Sequence, residues 1–525
     1  MRVDSGDIVL KINRRKFLVG GAALIGAPTL RRIAFSGRPS APSLPLDLAA
    51  DPRRPQYHLL PPANWTNDPN GPIYWRGEYH MFYQYNPDGA YWGDMHWGHA
   101  VSSDMVHWRH LPVALAPTPG GPDSAGCFSG TALAVGNEVV LLYTGVVSAQ
   151  ENEATIRNGA HSLRESQCLA TGTGKDLTVW TKDPMPVIVA PPAGMDVTGF
   201  RDPAPWRQGD NWYMAVGSGI RGKSAVVLLY RSTDLHHWEY LHVLAQGSGT
   251  GPQAGNPVEA GDMWECPDFF PLGNKHVLIH STGGKAYWQS GSLDPDAMVF
   301  HPERGGVLDY GSYYAPKTQV DKDGQRIVWG WILEARPESE FRAAGWAGMI
   351  SLPRVVRLDA ENDLQIELAP EVEKLREREQ RLRITGNEES DRRQLAQMRV
   401  ENACGEIVWT FRRGADPVEI ALVSADNRKP WLACRYDPSH ANEIAIDEQL
   451  VPCGAGEDRE TELRFLIDGS VIECFANRHG ALTKRFYYAG SSAPVIGVQV
   501  NGKLESLSGL SMWQIKPISR DRLTT

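Results

Sequence analysis

A hairpin theme that returns five times constrains this 525-residue chain more than any other feature. It reads GPIYWRGEYHMFYQYN from Gly71, GTALAVGNEVVLLYTG from Gly130 and APWRQGDNWYMAVGSG from Ala204, then PDFFPLGNKHVLIHST from Pro267 and PKTQVDKDGQRIVWGWI from Pro316. Each copy is an apolar and aromatic run, a tight turn containing Gly or Asn, and a second such run, the pattern of a β-hairpin. The copies begin 49 to 74 residues apart. That spacing leaves room for about four strands per unit. A second element follows in three units: SDMVHW at 103–108, KDLTVW at 175–180 and TDLHHW at 233–238. Its Asp and its Trp predict a turn whose indole packs on the outer strand of the unit. Five all-β units of this length predict a five-bladed β-propeller over residues 51–365, in preference to one large sandwich with chance hairpin similarity.

Beyond residue 365 the character changes. Residues 366–386 (IELAPEVEKLREREQRLRITG) are rich in Leu, Glu and Arg and predict a short linker helix, bounded at 366–388. Alternating β patterns then return in EIVWTFRR, VEIALVS and ELRFLIDGSVIECFAN, and the Asp468-Gly469 pair is a hairpin signal. Residues 389–525 are therefore expected to form a C-terminal β-sandwich. The fold class is all-β throughout.

In a propeller the first strand of every blade lines the central channel, so residues just before those strands converge at one mouth. Four units carry polar or acidic residues there: Asn67-Asp68-Pro69-Asn70-Gly71, Phe128-Ser129-Gly130, Phe200-Arg201-Asp202-Pro203 and Trp264-Glu265-Cys266-Pro267-Asp268. Each segment by itself is an ordinary turn or strand entry. Their shared position in successive units brings three acids together, from 68, 202 and 265. Such crowding is unfavourable unless a proton, a ligand or a cation such as Arg201 compensates, and chemistry is the usual reason a fold tolerates it. Paired carboxylates in a neutral cleft suit glycoside hydrolysis, where one attacks the anomeric carbon and the other protonates the leaving oxygen. Clustered acids also serve metals, but His96, His99 and His107 lie beyond the first hairpin and no ligand set has convincing spacing. No metal and no cofactor is expected.

At these residues the sequence resembles glycoside hydrolase family 32, the invertases, inulinases and levanases, over about residues 55–515. The resemblance is carried by NWTNDPNG at 64–71, FYQYNP at 82–87, WGHAVSSDMVHW at 97–108, FSG at 128–130, FRDP at 200–203, WECPD at 264–268, YYAPKT at 313–318 and DGSVIECFAN at 468–477. It implies a propeller followed by a β-sandwich, a retaining mechanism without cofactor, and release of terminal fructose from sucrose or a fructan such as inulin or levan. It further implies that Asp68 is the nucleophile, Glu265 the acid/base and Asp202 the transition-state stabiliser. Asn67, Gln84, Trp92, Phe128, Ser129 and Arg201 fall where the family contacts the terminal fructose. Thr66 stands where the family often has Met, and FSGT replaces FSGS, changes that bear on substrate preference rather than on catalysis. A fructosyltransferase of the same fold, an arabinose-directed furanosidase and a catalytically inactive sugar-binding homologue are the competing readings. The three retained acids speak against the last.

Composition agrees with a neutral, small carbohydrate partner. The net charge of −9 argues against nucleic acid or an anionic membrane surface. Most of the 17 Trp are assigned to core packing and a minority to sugar faces. The seven Cys show no metal-like spacing and read mostly as buried free thiols, with a disulfide pair or two left open. Near the start, Arg14-Arg15-Lys16-Phe17-Leu18 precedes an apolar run to Ala27 that is too short to span a bilayer. This resembles a twin-arginine signal, so residues 1–50 are expected to be signal peptide and linker, the twin-arginine machinery a partner, and the chain exported to the periplasm or beyond. The Pro-, Ser- and Ala-rich stretch at 36–56 is read as linker.

Overall fold

The computed structural model describes residues 47–519, apart from 158–161, 250–257, 259, 415, 427–428, 455–459 and 505–506. The arginine pair and apolar run at 14–27 lie outside the described residues.

Residues 64–368 form five separate sheets, antiparallel but for one two-residue parallel pairing, each opened by one of the five predicted hairpins. Their first strands are Asn64–Trp75, Cys127–Val135, Val197–Gln208, Glu265–Leu272 and Tyr314–Val320. These five neighbour one another in a closed order, each beside the next and the last beside the first. The ring is sewn shut where Trp346–Ala347 pairs in parallel with Asn64–Trp65. Apolar clusters fill the space between adjacent sheets, as where Val140, Leu142 and Leu169 of the second meet Met214, Val216 and Leu228 of the third. Burial of these faces is the main favourable term holding the units side by side.

The Asp…Trp elements are turns just before the fourth strands. Asp104 accepts from the amides of Val106 and His107, and Trp108 donates to the Met105 carbonyl at 3.0 Å. Asp234 and Trp238 repeat the arrangement. The residue after each Asp takes a left-handed conformation: Met105, Leu177 and Leu235 have φ of 66°, 49° and 69°.

Residues from 376 onward build two further sheets that share one core. Trp409, Phe411 and Phe465 face Ile420, Leu422 and Ile444 across it. Asp468-Gly469 turns one strand, Glu460–Asp468, into the next, Val471–Ala476, as its sequence predicts. The two halves of the chain meet over a buried ionic network. Arg354 donates to Asp309 and Glu473, and His58 bridges Asp468 and Glu473 at 2.8 and 2.9 Å.

Two sequence expectations are corrected. Residues 366–388 are not a helix: strand Leu364–Leu368 runs into a 3-10 turn, Pro370–Leu375, and then strand Arg376–Arg381. The charges that suggested a helix belong to an edge strand paired with Leu507–Ile515, where Arg376 reaches the buried Glu406 at 2.7 Å. The α-helix falls at Glu388–Leu395, opened by Asn387, whose side chain accepts from the Ser390 amide. The stretch read as linker is also docked at its end. Arg54 is fully buried, and the amides of Gln56, Tyr57 and His58 all donate to Asp468. This stretch docks the second half of the chain instead of hanging free.

Candidate active site

Rather than preceding the first strands, Asp68 and Asp202 lie inside theirs and Glu265 is the opening residue of its own. Pairing with the second strand lapses at each and then resumes: between Thr66 and Pro69, Phe128 and Gly130, Arg201 and Ala204, Glu265 and Asp268, and Tyr314 and Lys317. These are β-bulges, which bend a strand and re-aim its side chains. Proline stands in three of them, at 203, 267 and 316, where its missing N–H costs no ladder bond, and Pro69 closes a fourth opposite Tyr83. Asp202, Cys266 and Ala315 each adopt a left-handed φ, 65°, 48° and 51°, before their prolines. Strained backbone of this kind persists where the surrounding fold over-determines it. The second unit uses Gly130 in place of proline: a Cβ there would lie 2.0 Å from the Leu142 carbonyl oxygen.

The bulges bring the three acids together. Asp68 and Asp202 are each 1% exposed and Glu265 is 8% exposed. The Cys266 sulfur lies 3.4 Å from Oδ2 of both Asp68 and Asp202, so one thiol spans the two carboxylates. Asp68 also accepts from Ser129 Oγ at 2.6 Å and from Asn67 Nδ2 at 3.0 Å. Asp202 accepts from the Cys266 amide at 2.8 Å, and its own amide donates to Thr144 Oγ1 at 2.9 Å. Glu265 receives the Arg201 guanidinium on Oε1, 2.8 Å from Nη2, and the Tyr314 hydroxyl on Oε2, at 2.5 Å. Arg201 Nε lies 4.0 Å from Asp202, and Arg201 Nη1 donates to Glu165 at 2.8 Å. Arg201 thus faces three carboxylates, Glu165, Glu265 and Asp202, and moderates their mutual repulsion.

The residues expected to touch sugar divide into three groups. Asn67, Ser129 and Arg201 bond the acids directly. Trp92 and Phe128 form an edge-on aromatic pair, ring centroids 5.7 Å apart, in the apolar cluster that also holds Trp65, Cys266, Tyr314 and Trp331. Gln84 donates to the Cys127 carbonyl at 2.9 Å, steadying the strand that carries Phe128 and Ser129. Among the described residues, no group of three or more His, Cys, Asp or Glu is arranged to hold a metal ion.

Tyr314, Cys266 and Glu165 were not among the expected site residues. A signal for Tyr314 was present: it stands two places before Pro316, as Arg201 and Glu265 stand before Pro203 and Pro267. Cys266 sits in the same repeat, directly before its proline. Glu165 lies on a third strand, Ser162–Thr173, outside every first-strand motif, and nothing local in the sequence points to it.

Residues 58–370 match the family model described as glycosyl hydrolases family 32 N-terminal domain, and residues 371–514 match that of the C-terminal region. The chain is 33% identical over 488 residues to a sucrose-6-phosphate hydrolase of Escherichia coli, covering 88% of this chain and 94% of that protein. It is 38% identical over 465 residues to a raffinose invertase of Escherichia coli, covering 82% and 89%. Among solved structures, a variant of the Bombyx mori family 32 β-fructofuranosidase in complex with sucrose superposes with a TM-score of 0.69 at 27% identity, covering 90% of this chain and 96% of that one.

Proposed function

The chain belongs to glycoside hydrolase family 32, and from that membership we propose that it is a retaining β-fructofuranosidase releasing terminal fructose from sucrose or a fructan. The observation that carries the reading is the Cys266 thiol set between Asp68 and Asp202, with Glu265 one residue away and held by Arg201. Asp68 attacks the anomeric carbon of fructose while Glu265 gives its proton to the departing oxygen. In the second half-reaction Glu265 takes a proton from water, which displaces Asp68 from the fructosyl-enzyme. Asp202 faces the cationic transition state, where a fixed negative charge counts most. Trp92 and Phe128 give the sugar an apolar wall, and Asn67, Ser129 and Arg201 keep the acids oriented as charge moves among them.

The five sheets, with their first strands in closed order, support reading residues 51–365 as a five-bladed propeller, and the two sheets beyond as a β-sandwich. The two family matches meet at residues 370 and 371, which favours a division close to that point. The twin-arginine motif and its apolar run favour export of the chain, which fractionation of producing cells tests.

Incubation with concentrated sucrose is the test of the activity. The expected products are equal amounts of glucose and fructose, with fructose released in its β-anomeric form as followed by NMR. Mainly kestose-type products assign the chain to the transferases instead, and no turnover of sucrose, raffinose, inulin or levan refutes the reading.

A further inference from the structure

Arg201 is gripped by two carboxylates, and only one of them belongs to the proposed chemistry. The other, Glu165, is wholly buried on strand Ser162–Thr173 of the second unit. Its Oε1 accepts from Arg201 Nη1 at 2.8 Å. Its Oε2 accepts from the Phe200 amide at 2.6 Å and from Thr155 Oγ1 at 2.8 Å. Glu165 therefore holds both the side chain of Arg201 and the backbone that carries Arg201 and Asp202. A carboxylate placed this way on a neighbouring unit, accepting at both oxygens, is built to fix a guanidinium.

We propose that Glu165 is a positioning residue that divides the charge of Arg201 and so sets the pH at which Glu265 keeps its proton. The inference rests on Glu265 being the acid/base. Glu265 faces Arg201 on one oxygen and Tyr314 on the other; Arg201 faces Glu165, Glu265 and Asp202; Asp68 and Asp202 flank Cys266. Arg201 alone would favour the ionised form of Glu265, because an opposite charge at hydrogen-bond distance stabilises a carboxylate. A general acid must carry its proton into the first step. Glu165 draws off part of that positive charge, so Glu265 stays protonated to higher pH while the guanidinium remains in place to receive the carboxylate formed on proton transfer.

The test is Glu165→Gln in the full chain, which removes the charge and keeps the shape. On sucrose, the alkaline limb of kcat/KM against pH should move to lower pH by about one unit. Loss relative to wild type should then be about tenfold on the alkaline side, and much smaller on the acidic plateau. With a fructosyl substrate whose leaving group needs no proton, the variant's alkaline loss should vanish. Glu165→Asp keeps the charge and should hold the limb at its wild-type position while lowering kcat. A limb that stays put in E165Q, or a loss uniform across pH, overturns the proposal. So does an E165D limb displaced to lower pH, an outcome that can be read even if E165Q proves too unstable to assay. Failure of the underlying assignment looks different: Glu265→Gln would then retain activity on sucrose, whatever Glu165 variants do.

Discussion

Tyr314 and Arg201 hold Glu265 from opposite sides: the phenol donates to Oε2 at 2.5 Å and the guanidinium to Oε1 at 2.8 Å. The two donors come from different units, the fifth and the third. The orientation of the carboxyl group is thus set by parts of the chain that meet only in the folded protein.

Removing the phenol hydroxyl tests its share. Tyr314→Phe leaves the ring in the apolar cluster and deletes one hydrogen bond to a charged oxygen, typically about 1.5–3 kcal/mol. The expected result is a fall in kcat/KM on sucrose of roughly 10- to 100-fold. Losing a donor to the carboxylate disfavours that form, so the alkaline limb should shift to higher pH. A Phe variant with unchanged kinetics removes Tyr314 from the site.

Asp68→Ala and Glu265→Ala should each lower turnover of sucrose by orders of magnitude, since neither group has a substitute in a double displacement. The two should differ on an activated fructosyl substrate. There the Glu265 variant regains its first step, because no proton is needed, whereas the Asp68 variant stays inactive. Burst release of the leaving group and kcat/KM on the two substrates separate these outcomes, and near-normal turnover of sucrose in either variant refutes its role.

The network between the halves of the chain predicts how stability follows pH. Burial alone would lower the pKa of His58, but its bonds to Asp468 and Glu473 raise it from 6.5 to about 9. Burial alone would raise that of Glu473, but Arg354 and His58 hold it down from 4.5 to about 2. A raised His stabilises fully below 6.5 and loses its contribution as pH climbs through 9. A depressed Glu stabilises above 4.5 and loses its contribution as pH falls towards 2. Together they favour the folded state most between 4.5 and 6.5. Denaturant midpoints across pH should show this dome, and His58→Gln should flatten its alkaline side. An unchanged alkaline slope in that variant assigns the effect to other groups.

Arg354 is a second cation of the same network, 1% exposed and bonded to Asp309, Glu473 and Thr483. Arg354→Met takes an ion pair from each of two buried carboxylates, Asp309 and Glu473, and leaves Glu473 with His58 and the Leu352 amide. The expected cost is about 3–5 kcal/mol of unfolding free energy, the usual result of breaking a buried pair from one side. Urea unfolding of the variant measures it, and a loss below about 1 kcal/mol would show that the pair is replaceable.

Gly130→Ala tests the close approach in the second unit. The added methyl would sit 2.0 Å from the Leu142 carbonyl oxygen, so the bulge must open and carry Ser129 with it. Ser129 would then lose its bond to Asp68, and both thermal stability and kcat should fall. A fully active, stable variant would mean that the bulge yields more easily than this contact implies.

The units could be read from the sequence because hairpin and turn chemistry is local: Gly and Asn turns, Asp…Trp caps and alternating apolar runs each act within a few residues. The convergence of Asp68, Asp202 and Glu265 was legible for the same reason, each standing in a recurring first-strand position. Tyr314 shared that register but carried no acid to draw attention to it. Glu165 could not be found this way, because it reaches Arg201 across the space between two units. Residues 366–388 misled for a related reason. Their charge pattern suits a helix surface, but pairing with Leu507–Ile515, far along the chain, imposes an edge strand.

The parallel pairing of Trp346–Ala347 with Asn64–Trp65 has a consequence for how the protein comes into being. The strand that bears Asp68 gains this partner only after nearly the whole catalytic region has left the ribosome. Contacts so distant in sequence form late and slowly. A nascent or truncated chain ending before Trp346 should therefore lack a finished cleft, and catalytic competence should arrive in one step at closure of the ring.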